Sequence, residues 1–202
     1  MKKFLRRLFK NLITTIFLLI CALVISSFTY AEEAPPPDWL TMMSAAARAG
    51  DIDAGRAASR ERNAYIEEHQ TGETKIDFDE MYLLAQFISA EAGEVWLSDE
   101  MRLCVGEVAL NRVKSPQYPS SLRRVIFQRG EFDCCHDLHF NEIVPSRDCV
   151  SVSLRLMLGE RMLDESVIYY GSEPQGEVYD IFVDKVLGYT YFCRMGDNDA
   201  AR

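Results

Sequence analysis

Basic residues are scarce once the N-terminus is set aside. Five of the 22 lysines and arginines lie within the first ten positions, and the other 17 face 31 acidic residues, a balance of −14. A nucleic-acid-binding face needs a positive footprint against phosphate, so that class is excluded. The same deficit gives no special attraction to an anionic wall polymer, so any wall contact must come from a shaped site. There is no glycine-rich phosphate loop and no Gly-x-Ser-x-Gly elbow, which removes support for nucleotide hydrolysis and serine-esterase chemistry. No internal repeat of useful length occurs. The apolar run Leu12 to Phe28 would span only about 25 Å as a helix, short of a bilayer core.

That run follows a basic segment (Lys2, Lys3, Arg6, Arg7, Lys10) and precedes Thr29 and Ala31, which stand at −3 and −1 before Glu32. The pattern predicts a signal peptide over 1–31, with cleavage favoured over a retained anchor and the body exported. Membrane contact is expected only through an uncleaved leader. Glu32 to Pro37, EEAPPP, reads as a stiff linker. Asp38 then caps a helix from Trp39 to Ala49, Gly50 ends it, and Asp51 opens another to about His69. This gives a helical hairpin prefix over 38–75, a main domain over 76–195 and a polar tail over 196–202.

The main domain is organised around Asp79 to Val113, which reads as helix, short glycine-containing connection, helix. In the first helix Leu84, Phe87 and Ile88 fall at i, i+3 and i+4, and the i+7 position of that face is Glu91. Burial there would disfavour the charged carboxylate, which suits a general acid. Glu94 is near enough in sequence to be its partner, and Glu107 is a further candidate whose plainer reading is a salt bridge or a solvent-edge residue. The second helix is apolar on nearly every side and should be buried. Later, Leu122 to Ile126 makes a short helix, a long loop runs from Gln128 to Pro145, and Pro145-Ser146 opens a helix to Leu158. Val167 to Tyr170 and Tyr189 to Arg194 suggest a small sheet. The fold class is α+β and mainly helical.

Setting aside Cys21 in the leader, Cys104, Cys134, Cys135, Cys149 and Cys193 remain. Export permits disulfides, and the preferred pair is Cys149 with Cys193, Cys104 being read as a small buried hydrophobe. The cluster Cys134-Cys135-His136-Asp137-Leu138-His139 could supply zinc ligands or a Cys/His nucleophile. However, it lacks a second, separated ligand pair, and no third group is evident to orient a base. The plain reading is a polar loop with redox-labile thiols. No metal is expected.

From Met81 onward the chain resembles the SleB/CwlJ family of cell wall hydrolases. The resemblance rests on Ala90-Glu91-Ala92-Gly93-Glu94, on Val105 to Val113 ending in Asn111-Arg112-Val113, and on Ser115-Pro116-Gln117-Tyr118-Pro119. Leu122 to Gln128 with Phe132, and the closing Leu187 to Arg194, complete it. It implies a lytic-transglycosylase-like domain with a small antiparallel sheet near the C-terminus, acting on peptidoglycan glycan strands without a cofactor; a monomer is expected. Glu91 would protonate the oxygen between N-acetylmuramic acid and N-acetylglucosamine. Glu94, Gln128, Phe132 and Tyr169 are the candidate glycan contacts. The expected setting is outside the cell or in the envelope of a spore-forming or related Gram-positive bacterium. Two departures stand out. The Glu91–Glu94 connection is one residue shorter than the family's Glu-Ala-Arg-Gly-Glu, and Glu131 replaces the second amide of a Gln-x-x-Gln-Phe loop. The alternatives are a wall amidase or peptidase using the Cys/His loop, and a non-catalytic wall-binding or spore-coat protein.

Overall fold

The computed structural model describes residues 15–16, 35–136 and 139–196. The expected signal peptide lies outside the described residues except for Thr15 and Ile16, as does most of the tail. Among the described residues no helix is long and apolar enough to cross a membrane. Asp38–Arg202 forms one compact unit.

Helix α1 (Trp39–Ala49) begins where the Asp38 carboxylate accepts from the Thr41 amide, and it ends at Gly50 with φ 67°. Helix α2 (Ile52–His69) is capped in the same way by Asp51. An oxygen side chain at each start satisfies amide groups that the first helical turn leaves unpaired. The same device opens α3 (Phe78–Ala92) at Asp77, α4 (Asp99–Lys114) at Ser98 and α6 (Arg147–Met157) at Ser146. The short α5 (Leu122–Ile126) and two 3-10 turns, Asp133–His136 and Phe140–Glu142, lie between α4 and α6.

Two apolar clusters hold the unit together. The larger gathers Leu84, Phe87 and Ile88 of α3 with Val105 and Val108 of α4, and with Phe132, Val152, Leu156 and Phe192. The second joins Met43, Ala46, Ala47 and Ala58 of the prefix to Phe78, Met81 and Ala85 of α3, and to Val150 and Leu154 of α6. The prefix is therefore packed into the main domain rather than appended to it. A Cβ on Gly55 would lie 2.0 Å from the Phe78 ring, so glycine is what lets α2 approach α3 this closely.

Three antiparallel strands, β1 (Val167–Gly171), β2 (Glu177–Asp184) and β3 (Gly188–Arg194), form a sheet in the order β1-β3-β2. The outer strand β2 is absent from the sequence reading. Its residues are mostly exposed, and Val178, Ile181 and Val183 do not alternate cleanly with polar ones. The expected Cys149–Cys193 disulfide is not formed: both are buried free thiols, on α6 and β3.

Candidate active site

Glu91 sits in the last turn of α3, one turn beyond Phe87 and Ile88, both fully buried. The carboxylate is itself partly buried and both its oxygens are engaged. Oε1 accepts from the Cys134 thiol at 2.6 Å, and Oε2 accepts from the Tyr170 hydroxyl at 2.7 Å. Neither donor is near in sequence. Each is delivered by a separate piece of packing.

Tyr170 is placed by α4. Asn111 donates through Nδ2 to the carbonyls of Asp164 and Val167, and Arg112 donates through Nε to the carbonyl of Ile168. These buried side chains fix the backbone entering β1, and Tyr170 pairs with Phe192 of β3. Arg112 also pairs with Glu131 at 2.9 Å and lies over the rings of Phe132 and Tyr118. That explains the carboxylate at position 131: it neutralises a buried guanidinium, which an amide could not do.

Cys134 is placed by its loop. Phe132 and Cys135 are buried on either side of it, and the Cys135 amide donates to the Phe132 carbonyl in a tight 3-10 turn. The connection after Glu91 is held by Arg102, which is almost wholly buried. Its Nε donates to the Ala92 carbonyl and its Nη2 to the Glu94 carbonyl. Gly93 is needed there, since a Cβ would lie 2.1 Å from the Ser89 carbonyl oxygen.

The surroundings keep both donors protonated. Burial, followed by the adjacent Glu91, pushes the Tyr170 hydroxyl well above the usual phenol range. The contact with Cys135, Sγ to Sγ 3.3 Å, pushes the Cys134 thiol up, reinforced by burial and by Glu91. A thiol held protonated is a poor nucleophile and a poor metal ligand. His136 is exposed, with Nε2 at 3.3 Å from the Gln128 carbonyl. No cluster of three metal-ligating side chains occurs among the described residues.

The other expected site residues separate. The Glu94 side chain is exposed. Phe132 is buried, edge-on to Phe87 at 4.7 Å, so its ring packs the core. Gln128 is partly buried, with its Oε1 enclosed and unpartnered. Tyr169 faces Arg112 at 5.9 Å, and it is its neighbour Tyr170 that reaches Glu91. Successive strand residues point to opposite faces, and an irregularity between Val167 and Tyr169 sets which of the two turns inward. Glu107 is fully buried on α4. There its Oε2 accepts from the amides of Met162 and Leu163, which pins the chain leading to β1 rather than serving the site or a salt bridge. Further along α3, a groove of about 430 Å³ is lined by Tyr82, Leu83, Gln86, Arg123 and Asn141 among others.

Residues 98–192, from the cap of α4 into β3, match the family model described as Cell Wall Hydrolase. This stretch is a cell wall hydrolase domain. The match indicates peptidoglycan as substrate and the cell wall or its exterior as the setting. It takes in Cys134 and Tyr170, while Glu91 and Glu94 stand just ahead of it. No curated protein and no solved structure matches the chain.

Proposed function

We propose that this cell wall hydrolase cleaves the glycan strand of peptidoglycan, with Glu91 as its general acid and base, and that it is exported to do so. The observation that carries the reading is the carboxylate of Glu91 at the end of α3, partly buried and gripped by two neutral donors, Tyr170 and Cys134. A protonated Glu91 gives its proton to the oxygen between N-acetylmuramic acid and N-acetylglucosamine as that bond breaks. The carboxylate left behind is stabilised by the two donors already in place, so little reorganises during the step. It then removes a proton from the attacking hydroxyl. If the attacker is the muramic C6 hydroxyl the product is a 1,6-anhydro sugar; if it is water, a reducing end. One carboxylate suffices for the first route, in keeping with the exposed Glu94 side chain.

The test is mass spectrometry of fragments released from purified sacculi. Wild type should release glycan fragments, with anhydro-muropeptides marking attack by the C6 hydroxyl and reducing muramic ends attack by water, and Glu91→Gln should lower the rate by about a thousandfold or more. Digestion by Glu91→Gln at the wild-type rate, or release of free stem peptides in place of glycan fragments, overturns the reading.

A further inference from the structure

Two donors meet on Glu91, and they differ in kind. Tyr170 offers a hydroxyl to Oε2, while Cys134 offers a thiol, a weak donor, to Oε1. We propose that Cys134 is a positioning residue that marks Oε1 as the oxygen carrying and delivering the proton, while Tyr170 fixes Oε2 as the carbonyl oxygen. The inference rests on Glu91 being the general acid.

A protonated carboxyl group has one oxygen that only accepts and one that bears hydrogen. The stronger, better-held donor selects the accepting oxygen. Tyr170 is that donor, stacked against Phe132 and tilted against Phe192 on a strand pinned by Asn111 and Arg112. The proton then resides on Oε1. An incoming glycosidic oxygen accepts the hydrogen that Oε1 bears, and the thiol, a weak donor to the Oε1 lone pair, competes with that proton less than a hydroxyl or an ammonium group would. Cys134 does not itself take the proton, because a thiol sulfur is a weak acceptor.

The neighbouring charges leave this division intact. Arg112, from α4, is paired with Glu131 and enclosed by the rings of Phe132 and Tyr118. On the loop, Asp133 and His136 are exposed, and Cys135 contacts Cys134 rather than Glu91. Tyr169 on β1 faces Arg112.

The test compares Cys134→Ser and Cys134→Ala with wild type, using kcat/KM on solubilised glycan strands as a function of pH. Serine restores a donor and makes it stronger, favouring the ionised carboxylate. Activity should therefore fall off at a pH lower than wild type by about half to one unit. Alanine removes the donor, so the fall should move to higher pH by a similar amount. A loosened loop would move both variants the same way or lower the plateau only, so opposite shifts identify positioning. Shifts of one sign, or none, overturn the inference. Glu91→Gln is run alongside: an inactive variant with unmoved Cys134 profiles defeats this inference alone, whereas an active one defeats the general-acid reading and this inference together.

Discussion

At the scale of the residue, the site depends on donors brought from far along the chain. Cys134 and Tyr170 are 43 and 79 positions from Glu91. Helical spacing picked out Glu91, because a carboxylate on an apolar face breaks a local pattern. No local pattern could say which aromatic or which thiol would meet it, and that Tyr170 is the one depends on a strand register that only the folded sheet determines. Nor could the sequence say that Phe132 would be buried against Phe87, since an aromatic beside a loop serves the core as readily as a ligand. Tyr170→Phe isolates the hydroxyl while keeping the ring that packs on Phe132 and Phe192. With one donor gone from the carboxylate, kcat on glycan strands should fall about tenfold, corresponding to about 1.4 kcal/mol. The thermal midpoint should stay within a few degrees of wild type. A fall in midpoint matching the fall in rate would make Tyr170 a packing residue only.

At the scale of the element, helix starts were legible and the sheet was only half so. Asp38, Asp51 and Ser146 announce their helices, because an oxygen side chain ahead of an apolar period has a specific job to do. The outer strand β2 carries no such marker and lies largely exposed. The contact of α2 with α3 gives a direct test of packing. Gly55→Ala would drive a methyl into the Phe78 ring, for which a cost of about 1–3 kcal/mol is expected. Combining it with Phe78→Leu should recover part of that loss. Measured by urea unfolding, strictly additive losses would show that the two positions do not touch.

At the scale of the whole molecule, burial of proton-bearing groups predicts alkaline weakness. Burial, then Glu107 nearby, pushes the Cys104 thiol from its ordinary 9.0 up to about 12, and Tyr118 and Tyr170 are raised as well. The folded state holds these protons more tightly than the unfolded chain. The contribution of Cys104 is therefore complete below pH 9.0 and is lost as pH rises toward 12, while those of the tyrosines begin to be lost only above their ordinary 10.0. Urea midpoints should decline over that window, and Cys104→Ala should flatten the decline even if it lowers stability at neutral pH. An unchanged slope in that variant would show that Cys104 takes no part. A different lesson lies in the two apolar clusters. The family match begins at residue 98, yet α3 supplies Leu84, Phe87 and Ile88 to one cluster and Phe78, Met81 and Ala85 to the other, and it carries Glu91. The length of chain recognisable by descent is thus shorter than the length that folds. Recombination at the edge of the match would pass on Cys134 and Tyr170 without the carboxylate they contact, and residues 98–192 produced alone should show no cooperative unfolding transition.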